Sequence, residues 1–428
     1  MKDKLIEARE TITGIDAQMA ALFEKRMAAV ADIAGYKHAN GLQITDAARE
    51  AQMFADNSLL VSEDLRGYYG TFLRGVVDVS CAYQRSLNRI ADGDDSAMYV
   101  ELGPRSYYVH IADGIIDRTD EYIPTDKKAL IVTDDGVPCE YVDAVLKKQS
   151  NATVFTVPHG EKSKTYATYL AICRELSARG FSRDDVVIAV GGGVVGDIAG
   201  FAASTYMRGI SFYNIPTTLL AQVDSSIGGK TAVDLDGIKN MIGSFWQPKC
   251  VIIDPSVLKT LTARQYACGM AEIIKMAATS DAGLFDTIEA EHGNLDMTAI
   301  IRRALQIKAD IVRIDERESG VRMVLNFGHT LGHAIESVTT LEHGECVALG
   351  MICMCGDGIA DRMKKLLTAV GLKTSTYLDM SKVLDKVRHD KKARGGKINC
   401  VFVNEIGSNE IRPADVSELA VRLARIDG

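Results

Sequence analysis

Residues 185–200, DVVIAVGGGVVGDIAG, are the stretch whose reading decides the fold. Val186 to Val190 is a continuous apolar run, as a strand buried on both faces would have, and it empties into Gly191, Gly192 and Gly193 ahead of a helix-like run, 195–205. Strand, glycine turn and helix start make a phosphate cradle. Glycines let the backbone approach a pyrophosphate, and a helix N-terminus offers unpaired N–H groups and partial positive charge. Gly191, Gly193 and Gly196 satisfy G-x-G-x-x-G, but the ribose-binding acid that a dinucleotide fold places about 20 residues further on is missing. The next strand, 211–215, runs instead into Pro216, Thr217 and Thr218. Asp134 and Asp135, which follow an earlier strand, are the candidates for that acid.

Outward from this unit, strands and helices alternate. The pattern predicts a hairpin at 99–111, strands at 129–133 and 153–157, helices at 138–150 and 165–179, and a last strand at 250–254. Such alternation means βαβ units and a largely parallel sheet. Beyond residue 260 the chain reads as helical, at 263–278, 281–290, 297–313, 332–337 and 345–360. The expected organisation is an all-α three-helix domain over 1–90, a linker at 91–97, an α/β nucleotide-binding domain over 98–260, and a mostly α-helical metal and substrate domain over 261–428.

Composition bounds the function. A net charge of −8 and a pI near 5.6 argue against nucleic-acid or membrane-surface binding, while leaving room for basic sites that take small anionic substrates. The nine cysteines are scattered and never spaced C-x-x-C, as expected of reduced thiols. The start, Met1-Lys-Asp-Lys, has no apolar signal core, and no apolar run is long enough to span a bilayer. A cytoplasmic protein is expected.

Residues 1–90 have no proline, few glycines and an apolar stripe at helical spacing: Ile12, Ile15, Met19, Leu22, Val30 and Ile33. One helix of up to about 35 residues, roughly 50 Å, is predicted, with a second from about Thr45 and a third from Ser62. Arg26 and Lys37 interrupt the first stripe, Asp46, Arg49 and Glu50 share a face of the second helix, and Ser80 and Gln84 sit four apart on the third. Buried cations without partners are costly, so Arg26 and Lys37 point to an anionic ligand inside the bundle. Arg9, about 100° around the helix, cannot serve the same pocket within one molecule, which suggests a two-chain bundle.

These eight residues, in order and nearly in spacing, resemble the active-site set of the all-helical chorismate mutases, over about residues 4–88. The resemblance implies a dimer in which Arg9 crosses into the partner's site. It also implies a cofactor-free rearrangement of chorismate to prephenate, with Lys37 and Gln84 donating to the ether oxygen. A regulatory or dimerisation module is the alternative for this domain.

In the helical part His329 and His333 are four apart, His343 follows, and Glu272 lies in GMAEIIKMA. Imidazoles with a carboxylate suit zinc with an open position, though the pattern leaves open which three of the four bind it. Arg208, Lys230, Lys239, Asn240, Lys275, Lys308, Arg322 and Asn326, with Asp224, crowd the same part of the chain. A nucleotide cradle, a metal and many cations imply a phosphorylated or carboxylated alcohol as substrate, oxidised by hydride transfer.

Residues 98–428 resemble 3-dehydroquinate synthase along their length. Its successive signatures are GGGVVGDIAGFAA, TYMRGI, IPTTLLAQVDSSIGGKTAVD, KNMIGSFWQP, GMAEIIKMA, RMVLNFGHTLGHAIE and LEHGECVALGM. The resemblance implies zinc, or cobalt in its place, on Glu272, His329 and His343, with His333 free as an acid–base group. It implies NAD on Asp134, Glu161, Lys164, Gly193, Val194, Val195, Gly196, Asp197, Thr217, Thr218, Lys230, Lys239 and Thr260. Substrate would meet Asp224, Lys230, Asn240, Lys275, Lys308, Arg322, Asn326 and Lys391, with Arg208 supplied by the second chain of a dimer or larger homo-oligomer. Cys268 departs from the pattern, standing where that family has Asn or Ser. The implied reaction takes 3-deoxy-arabino-heptulosonate 7-phosphate to 3-dehydroquinate and phosphate through transient oxidation, elimination, reduction and aldol closure. A related sugar-phosphate cyclase and a metal-dependent polyol dehydrogenase are the alternatives.

Overall fold

The computed structural model describes residues 2–42, 44–92, 97–318, 320–393 and 398–426. Most of the expected linker, at 93–96, and the side chain of Lys391 lie outside the described set. The chain forms two compact units, Met1–Ser106 and Tyr107–Gly428.

The first unit has three helices, α1 (Lys2–Ala39), α2 (Ala47–Ser58) and α3 (Arg66–Asp92), and ends with a short strand, β1 (Ala97–Val100). At 38 residues α1 is about 57 Å long, far more than α3 can cover. Of its apolar stripe Val30 is buried, whereas Ile12, Ile15, Met19, Leu22 and Ile33 are exposed, Leu22 by 64 %. Two details differ from the sequence reading. A 3-10 turn, Glu63–Leu65, precedes α3, so that helix starts at Arg66 instead of Ser62. Asp46 lies outside α2 as its cap, accepting the Arg49 N–H at 3.0 Å, because a short carboxylate satisfies an orphan helix N–H best from outside the helix.

In the second unit β2 (Tyr107–Ile111), β3 (Lys128–Asp134), α4 (Cys139–Lys147), β4 (Asn151–Val157), α5 (Tyr166–Ala178), β5 (Val186–Gly191), α6 (Gly193–Thr205) and β6 (Ser211–Pro216) follow in order. A hairpin of β7 (Lys230–Leu235) and β8 (Ile238–Phe245) comes next, then β9 (Cys250–Ile253). The parallel strands lie in the order β2-β9-β6-β5-β3-β4. β5 is buried along its whole length because both faces are covered. Ile131, Ile188 and Val190 pack towards α4, and Leu130, Val132, Val187 and Ala189 pack towards α5 and α6. Each such valine, leucine or isoleucine side chain contributes roughly 1.5–3 kcal/mol by burial. The chain leaves β3 in one direction to β4 and leaves β5 in the other to β6, so a topological switch point lies at the carboxyl ends of β3 and β5, where α/β sheets bind ligands.

The helical layer is α7 (Ala263–Ser280), α8 (Ala282–Glu291), α9 (Met297–Ile314), α10 (His329–Glu336), α11 (His343–Met354), α12 (Asp357–Ala369) and α13 (Met380–Ala393), followed by β10 (Ile398–Phe402), β11 (Glu410–Ala414) and α14 (Val416–Leu423). The helix expected over 345–360 is broken after Met354. Cys355 turns extended and bridges Val403, and the Gly356 N–H donates to Val403 O at 2.8 Å, so backbone pairing outside the helix replaces pairing within it. The β10–β11 pair adds strands to a part of the chain read as mostly helical. The β7–β8 hairpin, in the α/β part, is not among the expected strands; its turn residues Asp236 and Gly237 have φ of 50° and 79°, as a two-residue type I′ turn requires.

Candidate active sites

At the switch point the glycine turn is forced by crowding. A Cβ on Gly191 would lie 2.7 Å from Val195 Cγ2, and one on Gly193 would lie 3.0 Å from Ser225 Oγ. Gly193 opens α6 directly, with Val194, Val195, Gly196 and Asp197 in its first turns. Thr217 is buried and donates its N–H to Gly191 O, which fixes the end of β6 beside the cradle. Thr218 Oγ1 accepts the Ala221 N–H, and Thr260 Oγ1 donates to Val257 O. Asp134 ends β3 and accepts the Gly136 N–H at 2.9 Å, and partial burial raises its pKa. Its neighbour Asp135 instead binds His159, through backbone and ring.

The β7–β8 hairpin carries three of the expected residues. Asn240, at φ 53°, donates its backbone N–H to Asp234 Oδ1, and its side-chain oxygen accepts from Lys164 Nζ at 2.5 Å. The same ammonium reaches Asp197 at 2.5 Å, while burial raises the pKa of that acid. Lys239 meets Glu336 at 2.6 Å and Glu161 at 3.6 Å.

The imidazoles converge because α10 and α11 meet backbone to backbone. A Cβ on Gly350 would lie 1.9 Å from Gly328 O, and one on Gly332 would lie 3.0 Å from Cys346 O. Each helix begins with a histidine, His329 and His343. Ligand atoms of His329, His333 and His343 all lie within 4.8 Å of one another. Glu272, wholly buried on α7, places Oε1 3.7 Å from His329 Nε2 and 3.6 Å from His343 Nε2. Neither of its oxygens finds a hydrogen bond, although Lys275 forms an ion pair with Oε2. A buried carboxylate lacking hydrogen bonds, with two ring nitrogens aimed at it, fits a divalent cation. Burial opposes the charge on Glu272, but Lys275 and the two imidazoles outweigh it and hold the pKa well below the usual range. Burial, with Lys275, pushes His329 down to about 3, the neutral form a ligand needs. Burial alone would lower His343, yet the facing carboxylate of Glu272 and the Glu336 carboxylate on its outer nitrogen lift it to about 9. His333 stands more open to solvent than the other two, and burial by its neighbours still lowers its pKa.

Beside this cluster lies an excess of positive charge. Lys275, Lys308 and Arg322 are each at most 4 % exposed. Asp224 accepts from Lys308 at 2.7 Å and feels Lys275 as well, so despite burial its pKa falls to about 2. Lys308 does not gain correspondingly: burial, with Arg322 and Lys275 nearby, brings it down to about 8. Lys308 pairs with Asp224, Lys275 pairs with Glu272, and Arg322 donates to the backbone oxygens of Gly228 and Glu316, so three buried cations face two carboxylates, an arrangement that invites an anion. Lys230 pairs with Glu318, which also accepts from Asn326 at 2.8 Å. Arg208 is exposed on the turn after α6, where Met207 and Arg208 both have positive φ, 51° and 71°. Glu318 and Glu336 were missed in the sequence. Glu336 had a signal, lying seven residues after His329 and three after His333 on one helix face; Glu318, in an irregular loop, had none.

In the first unit Arg26 donates to Ser80 Oγ and to Val76 O across α1 and α3. Lys37 donates to Ile44 O at 2.6 Å. Gln84 is buried and its Oε1 has no partner. Glu50 is half-buried, and Arg9 and Arg49 are exposed.

Several solved structures share the second unit's fold. A 2-deoxy-scyllo-inosose synthase complexed with carbaglucose-6-phosphate, NAD+ and Co2+ superposes with a TM-score of 0.70 at 24 % identity, covering 76 % of this chain and 99 % of that one. A 2-epi-5-epi-valiolone synthase from Streptomyces hygroscopicus, with NAD+ and Zn2+ bound, gives 0.70 at 25 %, covering 75 % and 96 %. A probable glycerol dehydrogenase from Sinorhizobium meliloti gives 0.52 at 17 %, covering 74 % and 95 %, a likeness of fold alone. The class is thus that of a nucleotide-type α/β sheet joined to a helical layer with a buried imidazole–carboxylate cluster. Family profiles are more specific: 3-dehydroquinate synthase N-terminal matches residues 154–268, 3-dehydroquinate synthase C-terminal matches 269–393, and chorismate mutase type II matches 8–85. The 3-dehydroquinate synthase of Desulforamulus reducens is 42 % identical over 348 residues, covering 74 % of this chain and 97 % of that one. That of Latilactobacillus sakei is 41 % identical over 343 residues, covering 76 % and 97 %. The chain belongs to the 3-dehydroquinate synthase family and carries a type II chorismate mutase region ahead of it, which makes it a bifunctional shikimate-pathway enzyme.

Proposed function

We propose that the second unit converts 3-deoxy-arabino-heptulosonate 7-phosphate to 3-dehydroquinate using NAD and a divalent metal, zinc or cobalt, held by Glu272, His329 and His343. The observation that carries this reading is Glu272, buried without hydrogen bonds and facing two imidazole Nε2 atoms. When bound, NAD supplies a reversible hydride acceptor and the metal a Lewis acid at the hydroxyl to be oxidised. The chain's own residues do the rest. Gly193 to Asp197 with Thr217, Thr218, Thr260 and Lys164 take the pyrophosphate side of the nucleotide, and Asp134, Glu161 and Lys239 its remaining contacts. Lys275, Lys308 and Arg322 hold the substrate's carboxylate and phosphate with Lys230, Asn240, Asn326 and Lys391, and Asp224 keeps Lys308 oriented. His333, at the open side, carries protons to and from the sugar, and the partner's Arg208 completes the site in a homodimer. Residues 98–260 and 261–428 divide this labour as a nucleotide domain and a metal domain.

The first unit rearranges chorismate to prephenate in a two-chain bundle. Arg26 and Arg9 of the partner subunit clamp carboxylates in a compact conformer, Arg49 and Glu50 complete the polar lining with Asp46 and Ser80, and Lys37 and Gln84 donate to the ether oxygen. Two features support it: the unpartnered Gln84 Oε1 in a buried position, and the exposed apolar stripe of α1, which a second copy would cover. No described helix is long and apolar enough to cross a membrane.

The test is to give the full chain each substrate in turn. Saturable loss of chorismate absorbance with prephenate formation, and stoichiometric phosphate release from the heptulosonate without net NADH, are expected. Chorismate binding without turnover would make the first unit a sensor; net NADH without phosphate release would make the second a dehydrogenase.

A further inference from the structure

Glu336 stands between two sites and belongs to neither set of expected residues. It closes α10, and seven residues of helix place it on the same face as His329. One carboxylate oxygen, Oε2, lies 3.2 Å from His343 Nδ1, and the other, Oε1, accepts from Lys239 Nζ at 2.6 Å. The far side of the His343 ring, Nε2, faces Glu272 at 3.6 Å. The same Lys239 ammonium lies 3.6 Å from Glu161, whose short turn continues into Lys164, and Lys164 binds Asp197 on the first turns of α6. A continuous polar chain therefore runs from an imidazole of the metal cluster, through one carboxylate, to the β7–β8 hairpin and on to the glycine cradle.

Resting on the metal and nucleotide reading above, we propose that Glu336 is a positioning residue that couples the two: by fixing His343 with one oxygen and Lys239 with the other, it makes metal and pyridine nucleotide bind more tightly together than apart. The physical basis is division of one charge between two partners. A carboxylate on the outer nitrogen of a ligating histidine sets its tautomer and ring orientation and raises its basicity, and loss of such a group costs about 10–100-fold in metal affinity. Nucleotide that orders Lys239 would order Glu336, and hence His343. By linkage the metal must favour the nucleotide by the same factor.

The experiment measures Zn2+ affinity by chelator competition and NAD+ affinity by calorimetry, each with and without the other ligand, on the full chain. Wild type, Glu336→Gln and Lys239→Met are compared, with thermal melting of the apo forms as the check on folding. In wild type each ligand should tighten the other several-fold. Glu336→Gln should weaken Zn2+ about 10–100-fold and abolish the mutual tightening. Lys239→Met sits on an exposed hairpin outside the metal cluster; it should leave the fold intact, weaken NAD+, and reduce the tightening without removing a metal-side contact. A Glu336→Gln metal affinity within two-fold of wild type overturns the proposal, and so does a loss confined to Zn2+ with the mutual effect preserved. Failure of wild type to bind Zn2+ at all would instead overturn the metal reading on which it rests.

Discussion

The two units treat charge and apolar surface in opposite ways. The second buries Lys275, Lys308, Arg322 and Glu272 and covers its sheet on both faces, so one chain has already met the cost of gathering the charges. The first leaves Ile12, Ile15, Met19 and Leu22 in water while Arg26 and Lys37 are only half-covered. A buried charge cluster with an unsatisfied carboxylate is chemistry that a small ligand can satisfy. An exposed apolar stripe with half-buried cations is surface that protein can cover, which is what the proposed two-chain bundle would do.

The largest expected effect breaks the comparison on the second unit's side. His329→Ala removes a ring nitrogen without stranding a charge, because the ring is neutral and Lys275 keeps Glu272. Several kcal/mol of Lewis-acid stabilisation go with it, so phosphate release should fall about 10³-fold and bound metal should drop in parallel, with prephenate formation unchanged. Full metal content in the folded variant would exclude His329 as a ligand. On the other side, Leu22→Asp puts a carboxylate where a second copy would pack. At roughly 3 kcal/mol for an unpaired buried charge, the dimer of the first unit should weaken about 10²-fold and mutase activity should become concentration-dependent. Sedimentation and activity against dilution check it; unchanged mutase activity at nanomolar chain would remove the need for a second copy.

What was legible in the sequence follows the same division. Period and punctuation are local, so the strand at 186–190, the glycine turn, the parallel sheet and the three helices of the first unit could all be read. The convergence of His329, His333, His343 and Glu272 was visible as chemistry but not as geometry, since it depends on Gly328, Gly332 and Gly350 letting two helices touch. The β7–β8 hairpin had a fair signal in Asp236-Gly237 between alternating residues, masked by the polar glycine run before it. Glu318 lies in a loop whose role is set by Lys230, far away in sequence, and no local rule finds such a residue. The exposure of the α1 stripe is the reverse case: its spacing announces burial, and one chain has nothing to bury it against.

The smallest effect is a pH break that only the second unit should show. Burial, then the neighbouring Arg322 and Lys275, lowers Lys308 to about 8, against the pull of Asp224. The sign matters twice. Above pH 8 Lys308 begins to lose the proton that lets it hold an anion, so kcat/KM for the heptulosonate phosphate should fall by about tenfold per pH unit there. The fold behaves oppositely: between about 8 and 10.5 the native state binds fewer protons here than the unfolded chain, so this group's contribution to stability rises with pH. Lost activity without lost stability is therefore the signature of a charge prepared for a ligand. Lys308→Arg should move the break upward, because a guanidinium keeps its proton throughout this range. A break that persists unchanged in Lys308→Arg would assign it to another group and not to the anion site.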